Sequence, residues 1–519
     1  MRRNRWLPAI WLCFLVRAFF YCAVLPIWEG FDEWSHFAVL QHMALRGEPL
    51  VNRYLPVPRD VAASLDLAPV AWENRNIPPP AAVHDVFWQL PAEERARRER
   101  EFRAIPPGWA LQDSQGNLTT YEALQGPLSG WMLSPVLWVF RGAHLATQVL
   151  LLRWFSMAVL SLVIPLTFGI GQRVFPGDGP ALACAAVVAA MPGFLIGIAR
   201  VSNEYAAVTL FALLIYLSLQ ELTRGRMIAI GVTLGLGLLA KAYFLTAIPP
   251  LALVLWRGRR SGLRSLLVPA LSLTIAGWWY VRNLVTTGTL TGMLESVAEP
   301  SSTFAAKIQQ ALHIPWLAAI DGILFPHLWL GAWSTLTVRS WMYHLFYLLI
   351  GIAAVGLLIR KITWPAGILA AYFVTFWAGQ LYHAALLARV WGMATSLGTY
   401  LNAVTGAEVP LCVAGLSNVL PGAARRFAGA AGVALFALLD LYTIHWVALP
   451  YYTGQIAHRV NHGAITAFHP AAGTFTEMLT RVAAFKSVLL PIPVLASLWL
   501  FYLFATLALV AISFAASRK

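Results

Sequence analysis

Apolar runs of about 18 to 20 residues recur along most of this 519-residue chain, and each is long enough to cross a bilayer as a helix. Inside lipid, backbone N–H and C=O groups must be satisfied within the segment, so runs of this length form helices. The composition agrees, because 59% of the residues are hydrophobic and only 12% are charged, whereas soluble domains carry about 25%. The sequence therefore predicts an all-α polytopic membrane protein.

The net charge of +14 does not indicate nucleic-acid binding. The arginines form short patches between the apolar runs, which is the pattern of a topology signal. The four cysteines lie within apolar runs without paired spacing, so we predict neither a disulfide nor a thiolate metal site. They are Cys13, Cys22, Cys184 and Cys412.

The positive-inside rule orders the runs into about 12 spans, with a range of 11 to 13. Arg2, Arg3 and Arg5 place the N-terminus in the cytoplasm, and Arg518 and Lys519 place the C-terminus there. The predicted spans lie near 6–27, 150–171, 179–199, 205–222, two short runs meeting at 240–242, 265–281, a run ending at 360–361, 364–386, 400–418, 427–448 and 487–515.

Three outer loops connect these spans. The first, 28–147, is the largest, and its end at 127–140 is a short apolar segment with an internal proline, which predicts an interfacial or re-entrant helix. The other two lie near 286–338 and 450–485. We predict two modules: a catalytic transmembrane module at 1–290, and a C-terminal transmembrane module at 291–519.

The first outer loop opens with W-E-G-F-D-E-W-S-H-F, residues 28–37. Ionisable groups at membrane depth are costly and are functional candidates by default. The predicted topology collects them at the outer face, where the candidates are Asp32, Glu33, His36, Tyr121, Glu122, Arg153, Asn203, Glu204, Lys241 and Arg282.

Each candidate also has a structural alternative. Asp32 could serve only as a helix N-cap. The arginines Arg153, Arg200 and Arg282 could be interfacial anchors. Lys241 is harder to explain structurally, because its neighbours in sequence offer no partner. Arg17 and Asp440 lie inside apolar runs and could pair with each other or line the interior.

Carboxylates and scattered cations at one face suit a sugar carried on a lipid phosphate. Cations can stabilise a leaving phosphate without a proton donor, and a weak acceptor hydroxyl needs a carboxylate as general base. The chain shows no phosphate-cradling glycine loop. A lipid-linked donor fits that pattern.

The motifs and their order resemble the GT-C membrane glycosyltransferases, which include protein O-mannosyltransferases and lipid A aminoarabinose transferases. The resemblance covers residues 6–290, and Gly126-Pro127 stand where the family has a proline pair. The later stretch 330–343 resembles a loop of a bacterial subgroup. The motifs that carry the resemblance are F-D-E-W-S-H-F-A-V-L-Q-H-M-A-L-R-G, Y-E-A-L-Q-G-P-L-S-G-W, L-R-W-F-S-M-A-V-L, R-V-S-N-E-Y-A-A-V-T-L, G-L-G-L-L-A-K-A-Y-F and G-W-W-Y-V-R-N.

The resemblance implies a GT-C fold, with Asp32 as catalytic base beside Glu33. Glu204 matches a second acidic position, and Lys241 matches a lysine near the lipid phosphate. It also implies a hexosyl- or pentosyltransferase that uses a polyprenyl-phosphate sugar. No cofactor is required, although a divalent metal would be compatible with the acidic groups.

The predicted function is inverting transfer of a sugar to a glycan, lipid or protein acceptor at the periplasmic face of a bacterial inner membrane. The main alternative is a transporter or flippase of lipid-linked sugars, a class that favours polar groups at the midplane and internal repeats. An inactive scaffold on the same fold is the third alternative, because the folding helices would look alike.

Overall fold

The structure is a computed structural model, and it describes residues 5–48, 55–299, 303–331, 336–458, 465–471 and 473–518. The terminal residues Arg2, Arg3 and Lys519, which support the predicted orientation, lie outside these ranges. So do residues 332–335 of the bacterial-subgroup stretch and parts of the outer loops predicted near 286–338 and 450–485.

A first apolar helix leads into an outer segment of short helices. Within this segment, two strands of two residues each pair in parallel, with Pro69 opposite Ala82. The elements are α1 (Trp6–Val24), α2 (Glu33–Leu45), α3 (Arg59–Leu67), β1 (Pro69–Val70), β2 (Ala82–Val83), α4 (His84–Phe87), α5 (Ala92–Arg103) and α6 (Leu128–Val139).

A series of apolar helices follows the outer segment. These are α7 (Leu145–Leu160), α8 (Val163–Val174), α9 (Asp178–Ala190), α10 (Pro192–Ile198), α11 (Glu204–Ser218), α12 (Arg224–Ala240), α13 (Ile248–Arg257) and α14 (Leu267–Thr287). The C-terminal part contains α15 (Leu294–Ala298), α16 (Phe304–Leu312), α17 (Trp316–Leu328), α18 (Ser340–Ile359), α19 (Trp364–Trp391), α20 (Thr405–Val419), α21 (Gly422–Tyr442), α22 (Leu449–Tyr452), α23 (Thr474–Ala483) and α24 (Ile492–Ser517).

The predicted all-α membrane fold is confirmed, since every predicted span coincides with a helix or a broken helix. Among the described residues, five helices are long and apolar enough to cross a membrane, and two bent pairs would raise that number to seven. Several of the other predicted spans are shorter, such as α11 with 15 residues. The total of about 12 spans therefore stays a prediction.

The loop predicted near 286–338 contains three helices that the sequence reading did not separate, α15, α16 and α17. α16 and α17 are bent by 75° relative to each other and pass together as a candidate broken span. Pro315 lies between them, and the residue before a proline is disfavoured in helical conformation, so the break follows from the sequence.

A buried ion pair holds the core where another helix pair is broken. Pro192 begins α10 at a 50° bend, and the end of α9 leaves its last carbonyl groups without helical donors. Arg17 donates to the carbonyls of Ala189 and Ala190, and its Nη2 lies 2.8 Å from a carboxylate oxygen of Asp440. Arg17 and Asp440 therefore pair, and they join α1, α9 and α21.

The outer segment also packs against α22. Tyr451 donates its hydroxyl to Asp85 at 2.8 Å, and Trp88 donates its Nε1–H to the carbonyl of Tyr452 at 2.9 Å. These contacts fix α4 against the C-terminal part of the chain. The division into modules at residue 290 stays a prediction.

Candidate functional site

Asp32 immediately precedes α2 and has a left-handed backbone, with φ of +57°. Few residues other than glycine adopt this conformation, and such strain clusters at functional sites. Its carboxylate makes no capping hydrogen bond to the helix. Instead, Tyr121 donates its hydroxyl to Oδ1 at 2.5 Å. The N-cap alternative therefore does not describe Asp32.

The carboxyl group of Asp32 is half-buried, and burial raises its pKa to about 6. The hydrogen bond from Tyr121 and the positive charges of Arg200 and Lys241 oppose that shift. A carboxylate with a pKa of about 6 is still ionised at neutral pH, and it is a stronger base than an ordinary aspartate.

Glu33 points away from this group into a closed ion pair with Arg153. The guanidinium donates Nε–H and Nη2–H to the two carboxylate oxygens at 2.7 and 2.5 Å. It also donates to the carbonyls of Cys22, Leu25 and Pro26, which end α1. Five donor bonds match the five N–H groups of an arginine. Both side chains are buried and engaged with each other, and the predicted catalytic role of Glu33 and the predicted substrate-binding role of Arg153 stay predictions.

Four of the predicted substrate-binding residues lie around one cleft or beside it. His36 Nε2 lies 3.6 Å from Glu122 Oε2. Gln125 links two of the others, donating to Glu122 and accepting from Asn203. Tyr121 binds Asp32 next to this group. The cleft has an empty volume of about 550 Å³, with His36, Glu122 and Asn203 among its lining residues.

Burial is the main cause of the pKa shifts of Glu122 and His36. It raises the pKa of Glu122 well above its ordinary value, and the negative charge of Asp32 adds to the shift. It lowers the pKa of His36 well below its ordinary value, and the positive charges of Arg200 and Lys241 act in the same direction. Burial therefore favours the neutral forms of both side chains.

One part of the cleft lining is apolar and comes from three helices. Val39 and Met43 lie on α2, Leu133 lies on α6, and Trp279 lies on α14. The cleft thus has a polar group near Asp32 and an apolar wall formed by helices. Such a surface suits a ligand with a polar head and a hydrocarbon tail.

Lys241 follows α12 and pairs with Glu204 at the start of α11. Its ammonium group also lies 4.1 Å from the centre of the Tyr400 ring, a cation–π distance. Tyr243 donates its hydroxyl to the other oxygen of Glu204 at 3.4 Å. The fold thus brings the predicted residues Glu204 and Lys241 together as an ion pair.

Gly126 brings the end of α12 against the cleft. A Cβ atom at this position would lie 2.1 Å from the carbonyl oxygen of Leu239, so no larger residue fits. Gly126 also lines the cleft, which places the turn at Lys241 beside it. This contact gives a physical reason for glycine where the family has a proline.

Arg282 lies near the apolar wall of the cleft. Its guanidinium group is 4.9 Å from the ring of Trp279, which lines the cleft. Its Nη1 donates to Asn283 at 3.4 Å, and its side chain is half-buried. Arg282 therefore remains available to a ligand at the cleft.

Two residues absent from the predicted site have charges close to Asp32. Glu73 has two buried carboxylate oxygens without a side-chain donor among the described residues, although a backbone hydrogen bond at Asp32 acts to lower its pKa. Burial, followed by the charges of Asp32 and Glu29, raises its pKa well above the ordinary value. Arg200 is the second, and it lies between α10 and α11. Glu73 lies in a long loop whose sequence carries no periodic signal, whereas Arg200 stood in a quoted motif as a candidate anchor.

The turn carrying Glu73 is tied to the helix that follows Asp32. Trp34 donates its Nε1–H to Asn74 at 3.2 Å, and its ring lies 5.3 Å from that of Tyr121. Among the described residues, no group of three His, Cys, Asp or Glu side chains could hold a metal ion.

No family model matches this chain, and no curated protein matches it by sequence. The chain is similar to the crystal structure of ArnT from Cupriavidus metallidurans bound to undecaprenyl phosphate, with 13% identity and a TM-score of 0.46. That match covers 98% of this chain and 77% of the other.

It is also similar to the oligosaccharyltransferase of Archaeoglobus fulgidus in the apo form, with 12% identity and a TM-score of 0.38. That match covers 96% of this chain and 56% of the archaeal chain. Because the TM-scores are below 0.5, these matches carry no argument about the function of this chain.

Proposed function

We propose that this protein is an integral membrane glycosyltransferase that moves a sugar from a polyprenyl-phosphate donor to an acceptor hydroxyl. The observation that carries the proposal is the environment of Asp32. A half-buried carboxylate in a strained backbone conformation receives a hydrogen bond from Tyr121 and has a pKa raised to about 6. These are the properties of a general base.

The reaction is a direct displacement with inversion. Asp32 takes the proton of the acceptor hydroxyl, whose oxygen attacks the anomeric carbon of the sugar. The bond from that carbon to the phosphate oxygen breaks, and polyprenyl phosphate leaves with the electron pair. Lys241 and Arg282 supply positive charge to the leaving group, as preorganised cations do for developing anions.

The remaining residues hold this arrangement in place. Glu33 and Arg153 fix the start of α2 against the end of α1, and thereby fix the position of Asp32. His36, Tyr121, Glu122 and Asn203 bind polar groups of the substrates, while Glu204 orients Lys241. The apolar wall of the cleft accommodates the start of the lipid tail.

The donor carries a hexose or a pentose, and the acceptor is a glycan, a lipid or a protein. We place the site at the periplasmic face of a bacterial inner membrane, with both termini in the cytoplasm. Support for this side comes from the arginines between the apolar runs. The reaction has no step that needs a metal ion.

The test uses purified protein in liposomes with a panel of polyprenyl-phosphate sugars and acceptors. Mass spectrometry follows the release of free polyprenyl phosphate. We expect release by the wild type, and a rate lowered by on the order of 10² to 10⁴ in Asp32→Asn, the usual contribution of a general base.

Asp113→Asn is the matched control, because Asp113 is an exposed carboxylate of the same outer segment. It should release lipid phosphate at the wild-type rate. If the wild type releases none from any donor but carries the intact lipid-linked sugar across the bilayer, the protein is a transporter and the proposal fails. Equal rates in wild type and Asp32→Asn would remove Asp32 as the base.

A further inference from the structure

Arg200 is a buried arginine without a carboxylate partner among the described residues. Its side chain is only 6% exposed. Nη1 donates to the carbonyl of Phe31 at 3.1 Å, and the buried Nε has no acceptor. Taking a charge out of water is expensive unless it is paired. An arginine in this state indicates that its partner is a ligand.

The backbone around Arg200 is built to hold it beside Asp32. A Cβ atom on Gly30 would lie 2.5 Å from the Cβ of Arg200, so glycine is required for this approach. The N–H of Val201 donates to Glu33 at 2.8 Å, which fixes the segment to the first turn of α2. The closed ion pair of Glu33 thus also positions Arg200.

The free edge of the guanidinium has the geometry of an oxyanion site. Nη1 is engaged by Phe31, while Nε and Nη2 make no hydrogen bond to the described residues. These two nitrogens lie on one edge of the planar group and can donate to two oxygens of one phosphate. A lysine would offer a single point charge without this fork.

The other cations near the site are less available than Arg200. All five N–H groups of Arg153 are used within the chain, and Lys241 is paired with Glu204. Of the acidic groups near Arg200, Glu73 and Glu122 have raised pKa values. Because a raised pKa favours the neutral carboxyl form, these two groups repel an incoming anion less than two ionised carboxylates would.

We propose that Arg200 binds the phosphate group of the lipid-linked donor through its Nε and Nη2 edge, and holds that phosphate beside Asp32. The inference rests on the proposed glycosyl transfer and adds a residue that the motifs did not mark as part of the site. In the transfer step, Arg200 would carry more of the charge on the leaving phosphate than Lys241 does.

The test measures product inhibition in the liposome assay, with free polyprenyl phosphate and inorganic phosphate as separate inhibitors. The variants are Arg200→Gln and Arg200→Lys, with Arg100→Gln as control, because Arg100 is an exposed arginine on α5. In Arg200→Gln we expect kcat to fall on the order of 10²-fold, as for loss of an oxyanion donor. The inhibition constant of polyprenyl phosphate should rise at least about tenfold.

The pattern across variants separates a phosphate ligand from a structural role. Arg200→Lys should recover part of kcat, and the KM for the acceptor should stay at the wild-type value in both variants. Inhibition by inorganic phosphate that weakens in Arg200→Gln would show that the phosphate group alone is bound. Inhibition by the lipid phosphate alone, weakened in the same way, would show that the tail is also required.

Equal inhibition constants in wild type and Arg200→Gln, for both phosphate sources, would overturn the inference while transfer by the wild type still supports the proposed function. Absence of transfer by the wild type would overturn both. If Arg200→Gln does not purify as a folded protein, Arg200→Lys decides the question. Its inhibition constant for polyprenyl phosphate rises if the fork is used and stays unchanged if it is not.

Discussion

Asp32 and Glu33 are adjacent in the chain, yet the structure treats their carboxylates in opposite ways. Glu33 is buried in a bidentate pair with Arg153, in which every donor of the arginine is used. Asp32 is half-buried, receives one bond from Tyr121, and has the unpaired Arg200 nearby. We call Glu33 and Arg153 the closed group, and Asp32, Tyr121 and Arg200 the open group. The closed group fixes the backbone, and the open group is available to a ligand.

The backbone conformation of Asp32 separates the two groups. The left-handed turn ends the loop, and α2 begins with Glu33, so the two side chains leave the chain in different directions. The closed group joins α2 to the end of α1 and to α7, whereas the open group faces the other side. Natural proteins concentrate local strain and unsatisfied polar atoms at functional sites and keep their surroundings satisfied.

Breaking the closed group should have the largest effect on stability. Arg153→Met leaves Glu33 buried without its partner, and removing one member of a buried pair costs about 3–5 kcal/mol. Unfolding by heat in detergent, followed by tryptophan fluorescence, would measure the loss.

The double variant Arg153→Met/Glu33→Gln supplies the control. Because it removes both charges, it should lose less stability than the single variant. A single variant within about 0.5 kcal/mol of the wild type, as for surface substitutions, would mean that the pair is not structural.

The fold was largely predictable because it depends on local composition. Each apolar run that the sequence marked as a span is helical, including the short ones that meet at Lys241. Hydrophobic length does not determine where a helix breaks, and so α16 and α17 were read as part of a loop. Proline positions such as Pro192 and Pro315 carried that information.

The sequence marked candidate site residues but could not show how they pair. The sequence marked Glu33, Arg153, Glu204 and Lys241, yet it could not show that they neutralise each other across tens of residues. Pairing depends on tertiary contacts, which periodicity does not report. Arg200 was read as an anchor for the same reason.

The pH dependence of the reaction tests the role of Asp32 in the open group. The pKa of Asp32 is raised to about 6, so the base is ionised above that pH and is lost below it. We expect kcat/KM to be level near pH 7 to 8 and to fall about tenfold per pH unit below about 6, as for a single ionisation.

Tyr121→Phe tests whether the acidic limb of the pH profile, the fall in kcat/KM at low pH, reports the ionisation of Asp32. The hydrogen bond from Tyr121 lowers the pKa of Asp32, so its removal should move the limb to higher pH. A profile that stays level from pH 5 to 8 in the wild type would show that Asp32 is not the titrating base.

Substitution of Glu73 has the smallest expected effect on stability. The sign of that effect shows whether Glu73 belongs to the closed group or to the open group. Its two carboxylate oxygens are buried without a side-chain donor among the described residues, and an incompletely satisfied buried group costs about 1–3 kcal/mol. Glu73→Met should therefore stabilise the protein by about 1 kcal/mol, measured as the midpoint of thermal unfolding. Glu93→Met, at an exposed position of α5, should change stability by less than about 0.5 kcal/mol.

The gain from Glu73→Met should also depend on pH, with a sign set by the raised pKa. Below the pKa of the unfolded chain, both states bind the proton and ionisation contributes nothing. As the pH rises above it, the unfolded state ionises while the folded state resists, so folding becomes less favourable in the wild type. The gain should therefore be larger at pH 8 than at pH 4. A loss of stability like that of Arg153→Met would instead place Glu73 with the closed group, as a carboxyl that the fold needs.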